Sequence, residues 1–235
     1  MLSDLLYSLK ETEFFFNLFG YISFRSGLSL VTSFFIVIIL MPHWIRFQKS
    51  IFPSGQPIRN DGPDTHYHKK GTPTLGGVLI LFSIILSSIL WTSNFSSFNY
   101  ILILTLTLFG LIGLVDDFQK VKLGKGISSK TKFLSQLLAT LIIYFTIKYN
   151  GFDLNKFSIP FLKDVSIELG YLYFVLILLI VVGSTNATNL TDGLDGLVSM
   201  PLIFVFLTFA IFAYVLGNIN FSDYLLVNYM KGSGE

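Results

Sequence analysis

Six stretches of the chain are long, apolar and free of Asp, Glu, Lys and Arg: 26–45, 74–91, 98–115, 133–147, 169–184 and 198–216. A helix needs about 20 mainly apolar residues to cross a bilayer. The pattern therefore predicts an all-α polytopic membrane protein of about six transmembrane helices. The first span is expected to end at Met41-Pro42, because proline removes a helix hydrogen bond. The fourth is short and holds Ser135 and Gln136, but Lys132 and Lys148 can snorkel from its ends. Ahead of the spans, Leu2, Leu5, Leu6 and Leu9 recur at helical spacing, which predicts an interfacial amphipathic segment. Asp4, Glu11 and Glu13 in that segment argue against a secretory signal. Between the fourth and fifth spans, Phe157, Ile159 and Phe161 alternate with Ser158 and Pro160, which predicts a short hairpin at the membrane surface.

Composition supports this reading. Of 235 residues, 52% are hydrophobic and only 13% are charged, against about 25% charged in soluble domains. There is no cysteine, which excludes a disulfide scaffold and a thiolate metal site. The net charge of +2 gives no argument for nucleic acid as a partner. No repeat or linker divides the chain, so 1–235 reads as a single transmembrane domain.

Charge in the loops sets the expected orientation. The connections 42–73, 116–132 and 185–197 hold Arg46, Lys49, Arg59, Lys69, Lys70, Lys120, Lys122, Lys125, Lys130 and Lys132, ten of the 16 basic residues. The positive-inside rule places that side in the cytoplasm and both termini outside. The same side carries the unusual polar residues. A transporter would more often place such groups near the midplane, and the spans contain no charge for ion coupling. Chemistry at a cytoplasmic membrane face suits a soluble substrate meeting a lipid one.

Three constellations carry that chemistry. The first runs Arg59-Asn60-Asp61-Gly62-Pro63, then His66, His68, Lys69, Lys70 and Gly71-Thr72-Pro73-Thr74-Leu75-Gly76-Gly77. Thr72 is placed to cap a helix starting at Pro73. Basic residues before a helix N-terminus make an anion site, although a capped span with ordinary cytoplasmic lysines reads the same way. No Gly-Lys-Ser/Thr follows, so this is not a nucleotide P-loop. The histidines lack metal-site spacing.

The second is Asp116-Asp117-Phe118-Gln119-Lys120 at the end of the third span. Magnesium takes oxygen ligands and often bridges phosphates. Successive helical residues point about 100° apart, so a regular helix does not aim both carboxylates at one ion. The alternative is a solvated helix end with Asp–Lys pairing. The third is the run from Asn186 to Gly196, in which Asn186, Asn189, Asp192 and Asp195 recur at steps of three. Gly193 and Gly196 are expected to break the helix there. Amides and carboxylates together offer donors and acceptors for a base or sugar. Two Asn-x-Thr matches in the run lie on the predicted cytoplasmic side, which excludes glycosylation. Lys120, Lys122, Lys125, Lys130 and Lys132 are placed to attract anionic lipid heads.

In this order, Asn60-Asp61-Gly62-Pro63, Gly71–Gly77, Asp116–Lys120 and Asn186–Gly196 resemble the phospho-N-acetylmuramoyl-pentapeptide transferases. These form the muramoyl branch of the polyprenyl-phosphate sugar-1-phosphate transferases. The resemblance implies transfer from UDP-MurNAc-pentapeptide to undecaprenyl phosphate in the bacterial inner membrane. The products are the lipid-linked intermediate of peptidoglycan synthesis, lipid I, and UMP, with magnesium as cofactor. It implies Asp116 and Asp117 as the catalytic pair and candidate metal ligands. Lys69, Thr74, Asn186, Asn189, Asp192 and Asp195 would bind the nucleotide-sugar, and Lys120 and Lys132 the phosphates. A homodimer is implied by the resemblance alone. The family continues past residue 235 with further helices, a Met-Gly-Asp-x-Gly-Ser segment that carries a magnesium ligand, and a histidine-rich loop. The chain is therefore expected to be an N-terminal part. The alternatives are a transferase for UDP-GlcNAc and an inactive truncated membrane remnant.

Overall fold

A computed structural model describes residues 1–53, 55, 73–159, 162, 165–192 and 196–235. Asn60–Pro63, His66, His68, Lys69, Phe161 and Asp195 lie outside the described residues. The helices are α1 (Leu2–Ser8), α2 (Ile22–Ile51), α3 (Gly76–Trp91), α4 (Ser97–Leu123), α5 (Ser129–Tyr149), α6 (Leu172–Thr191), α7 (Ser199–Leu216) and α8 (Ile219–Tyr224). Two 3-10 turns, Leu9–Glu11 and Phe14–Gly20, join α1 to α2. Strands β1 (Lys156–Ser158) and β2 (Ser166–Glu168) pair antiparallel with Phe157 opposite Ile167, which is the expected hairpin.

Every predicted span contains a helix, and the chain is an all-α, multi-pass membrane protein. Among the described residues, α2, α4, α6 and α7 are long and apolar enough to cross a membrane. Helix α3 is apolar but has 16 residues, about 24 Å at 1.5 Å per residue. Helix α5 has 21 residues but is too polar to qualify, and it buries Gln136 and Thr140 along with Ala139 and Ile143. Phe204, Phe206, Phe209 and Ile211 on α7 are all more than 60% exposed. Such surface suits a hydrocarbon solvent, where the helix satisfies its own backbone groups.

Two helix boundaries differ from expectation. Helix α2 does not stop at Met41-Pro42 but continues through Pro42 to Ile51. Side chains on the next turn re-use carbonyls near the break: His43 Nδ1 lies 3.1 Å from the Ile39 carbonyl, and Arg46 Nε donates to the Pro42 carbonyl at 3.3 Å. Neither is the carbonyl that Pro42 deprives of its donor, which is that of Ile38, four residues earlier. Helix α3 begins at Gly76, not at Pro73. The Leu75 N–H donates to Gln48 Oε1 at 3.3 Å, and Trp44 Nε1 donates to the Leu75 carbonyl at 2.9 Å. Two bonds from α2 thus fix Leu75 as the residue before the helix.

The chain divides into two compact units, Met1–Ser93 with Thr105–Ser135, and Asn94–Leu104 with Gln136–Glu235. In the first, α2 packs along α3 and Trp91 Nε1 donates to Thr32 Oγ1 at 2.9 Å. Phe19 stacks on Trp91, and Ser3 and Asp4 hydrogen-bond the Thr92 carbonyl and the Ser93 hydroxyl. The amphipathic N-terminus is thereby seated on the end of α3. Gly110 of α4 lies where any Cβ would run into Leu81 of α3, so the two helices meet closely there. In the second unit, the residues after α8 fold back on α7: the Met230 N–H donates to the Leu216 carbonyl at 2.8 Å and Ser233 Oγ to the Ala213 carbonyl at 3.2 Å.

Candidate active site

At 27 residues, α4 is about 40 Å long, which exceeds the hydrocarbon thickness of about 30 Å. Its last two turns carry the aspartate pair beyond the apolar run. Asp116 is 7% exposed and Asp117 is half-buried. A buried carboxylate needs partners, and Asp116 has three. Lys120 Nζ lies 2.8 Å from Oδ2, Lys132 Nζ lies 3.7 Å from the same oxygen, and the Ile127 N–H donates to Oδ1 at 3.0 Å. Lys120 also reaches Asp117 Oδ1 at 2.9 Å.

Helix geometry accounts for the double contact. The carboxylates diverge by about 100°, yet Lys120 follows them by four and three residues, the spacings at which helical side chains meet. One flexible ammonium therefore serves both. The expected alternative, Asp–Lys pairing at a helix end, is present, but Asp116 is buried in it.

The connection from α4 to α5 completes the cluster. Gly124 takes a left-handed conformation, φ +73°, and turns the chain back. Gly126 then passes so close to Asp116 that a Cβ there would overlap Oδ1 and stand 3.2 Å from Lys120 Cε. Ser128 caps α5 by accepting from the Thr131 N–H at 3.2 Å, which starts the helix one turn before Lys132. Phe118 packs edge-on to Phe52 at 6.0 Å and lies under Lys122 Nζ. Lys122, Lys125 and Lys130 are exposed.

The second polar group lies on α5 and α6. Gln136 is 1% exposed. Asn186 Nδ2 donates to Gln136 Oε1 at 3.0 Å and to the Val182 carbonyl at 2.9 Å, and Gln136 Nε2 returns a bond to Asn186 Oδ1 at 3.5 Å. Asn186 is thus held by the protein. Asn189, one turn on, is exposed, and α6 ends at Thr191 with exposed Asp192 as its C-cap. The helix ends ahead of the two expected glycines, of which Gly193 lies outside the described residues and Gly196 has φ +82°. Asn189 and Asp192 side chains have no hydrogen-bond partner among the described residues, which leaves their amide and carboxylate open to a ligand.

Thr74 stands just before α3. Its Oγ1 is buried and has no partner among the described residues.

The structure therefore joins Asp116, Asp117, Lys120 and Lys132 in one ion cluster, and Asn186 with Gln136 in another group. Ile127 and Gly126 act on Asp116 through backbone and space, which side-chain motifs do not report. Gln136 looks like a flaw in an apolar span until its partner is seen. Among the described residues, no group of three or more His, Cys, Asp or Glu is placed to hold a metal. A divalent cation here would rest on the two aspartates and on substrate oxygens, a donor set that suits a hard ion sharing phosphates. Among the described residues, Asp117 Oδ2 is the carboxylate oxygen of the pair without a partner.

Residues 99–232 match the family model of Glycosyl transferase family 4. Across its whole length the chain is 40% identical to the phospho-N-acetylmuramoyl-pentapeptide-transferase of Rickettsia prowazekii (strain Madrid E). It is 41% identical to that of Desulfotalea psychrophila and 44% identical to that of Desulforapulum autotrophicum. It spans 66% of the length of each of these relatives.

Proposed function

The chain belongs to glycosyl transferase family 4, and from that premise we propose that it transfers phospho-MurNAc-pentapeptide from UDP-MurNAc-pentapeptide to undecaprenyl phosphate. The products are lipid I and UMP. The observation that carries this reading is the 40–44% identity, over all of this chain, to proteins named for that transfer. A buried, doubly paired carboxylate at the end of a membrane helix supports it, since both substrates bring phosphates. The site faces the cytoplasm of a bacterial inner membrane in this reading, with the N-terminus outside and a homodimer as the assembly.

The reaction is a displacement at phosphorus. An oxygen of the lipid phosphate forms a bond to the β-phosphorus of the nucleotide-sugar, and the bond from that phosphorus to the bridging oxygen breaks with UMP. A phosphate monoester loses its second proton near pH 6, so at neutrality the nucleophile is already largely ionised (about 6). Orientation then matters more than proton removal. Both Asp116 oxygens face protein donors, which suits a group that holds Lys120 and Lys132 in place and disfavours a covalent aspartyl intermediate at this residue. Lys120 and Lys132 would turn toward phosphate oxygens as substrates arrive. Asp117 Oδ2 would hold magnesium, which when bound neutralises the pyrophosphate and the charge developing on UMP. Lys69, Thr74, Asn189, Asp192 and Asp195 would receive the nucleotide-sugar, with Asn186 braced by Gln136.

The test is UMP release in membranes carrying the chain, with undecaprenyl phosphate and magnesium. The two donors compared are UDP-MurNAc-pentapeptide and UDP-GlcNAc, with Asp116→Asn as the control. Release from the muramoyl donor alone, lost in Asp116→Asn, is expected. Release from UDP-GlcNAc instead would reassign the substrate. Unchanged turnover in Asp116→Asn would remove that residue from the mechanism.

A further inference from the structure

The junction of α2 and α3 contains two buried polar atoms that have no partner among the described residues, Gln48 Nε2 and Thr74 Oγ1. Native interiors rarely tolerate such groups, and each needs an explanation. Gln48 sits in the last turn of α2 and is 5% exposed. One end of its carboxamide is engaged, because Oε1 accepts the Leu75 N–H at 3.3 Å. The other end is a donor at the same helix terminus with nothing to donate to.

That terminus is built to receive an acceptor. Helix α3 starts at Gly76 with no side-chain cap. Its first-turn N–H groups therefore lack the usual side-chain oxygen. Gly77 is exposed, and a Cβ there would meet nothing within 4 Å. Trp44 braces the turn through its bond to the Leu75 carbonyl. Uncapped N–H groups, an amide N–H and a hydroxyl thus stand at one helix start. All are donors, and the positive end of the helix dipole favours negative charge there.

The geometry points to Gln48 as a substrate-binding residue that, with Thr74, donates to a phosphate oxygen at the N-terminus of α3. This rests on the proposed transfer reaction, in which both the nucleotide-sugar and the lipid acceptor carry phosphate. Gln48 has two separable duties here, since Oε1 positions Leu75 and Nε2 meets the ligand. Gln48→Glu retains an oxygen for Leu75 and replaces the donor by a second oxygen. Gln48→Met removes both.

The experiment measures dissociation constants on the purified full chain in detergent. The probes are UMP and farnesyl phosphate, with uridine and farnesol as their phosphate-free counterparts. Melting temperature and Trp44 fluorescence report whether the junction is intact. Gln48→Glu and Gln48→Met are both expected to weaken one phosphate probe by about tenfold or more, with its phosphate-free counterpart unchanged. The probe that responds identifies the nucleotide or the lipid as the source of the phosphate. Thr74→Val is expected to act on the same probe. Phosphate binding retained in Gln48→Glu but lost in Gln48→Met with a lowered melting temperature would overturn the inference, leaving Gln48 a brace for Leu75. Binding unchanged in both variants would also overturn it, and the two donors would then serve a bound water. Failure of the unsubstituted chain to bind either phosphate probe would instead sink the proposed function itself, and this inference with it.

Discussion

Replacing Gly126 by alanine should disable the site by displacing Asp116 and Lys120, although position 126 itself offers no polar side chain to a substrate. A Cβ at this position would overlap Asp116 Oδ1 and lie 3.3 Å from Asp116 Cγ and 3.2 Å from Lys120 Cε. A flexible side chain normally yields to such an intrusion at little cost. Asp116 has nowhere free to go, because Oδ1 is held by the Ile127 N–H at 3.0 Å and Oδ2 by Lys120 at 2.8 Å. Restoring van der Waals distance requires the carboxylate or the 124–128 strap to shift by about 1 Å, and a displacement of that size near the chemistry costs roughly 100-fold in rate. Losing a hydrogen bond to a buried charge adds about 1.5–3 kcal/mol of destabilisation. The assay is UMP release at saturating substrates beside thermal unfolding in detergent. Gly113→Ala is the control, since a Cβ there meets nothing within 4 Å. A Gly126→Ala enzyme within twofold of the parent would refute the reasoning, because the strap would then be free to move without disturbing Asp116.

Lys120→Met should destabilise the fold by about 3 kcal/mol, since it strips a buried carboxylate of its closest cation and leaves Lys132 at 3.7 Å. Chemical unfolding of the two proteins side by side checks this, and Lys120→Arg should recover part of the loss. Gln136→Leu should cost about 1–3 kcal/mol by leaving Asn186 with only its bond to the Val182 carbonyl. Its binding of the nucleotide-sugar should weaken as well, read by titration calorimetry. Gly110→Ala should destabilise by about 1–3 kcal/mol through overpacking on Leu81, whereas the neutral outcome in a melting curve would mean that α3 and α4 are free to separate there.

Much of the fold is legible in the apolar runs, because a helix in hydrocarbon has to satisfy its own backbone and so declares itself by composition. The hairpin is legible for a similar reason, since alternation at Phe157 and Ile159 fits only an extended chain. What escapes is set by contacts distant in sequence. Pro42 reads as a stop, yet α2 continues through it to Gln48, and the start of α3 then follows from the Gln48–Leu75 bond instead of from Thr72. The loop expected over 42–73 hides that residue. Gln136 similarly reads as a weakness of the fourth span, because its partner Asn186 is fifty positions away. The aspartate pair is legible as chemistry, and the argument from 100° divergence would keep the two carboxylates from sharing one ion. It does not anticipate that Lys120, long and placed at both helical spacings, reaches the two of them at once.

That shared lysine bears on how such a site survives at a membrane edge. Two carboxylates near hydrocarbon are unfavourable alone, and the substrates of the proposed reaction would add further negative charge. In the resting arrangement Asp116 and Asp117 are balanced by Lys120 and Lys132, so the cluster carries no net charge while it is half-enclosed. The geometry leaves room for exchange: Lys132 stands at 3.7 Å, beyond ordinary hydrogen-bond contact, and one Asp117 oxygen has no partner among the described residues. In the proposed reaction an arriving phosphate would offer the lysines a second anion, and a divalent cation would offer Asp117 a second partner. Exchange of partners within a neutral set avoids exposing any bare charge to the bilayer. In that proposed exchange the tight strap at Gly126 and Ile127 would hold Asp116 in place while Lys120 leaves it. A looser connection would let the carboxylate follow its lysine toward the phosphates, where two negative groups would meet.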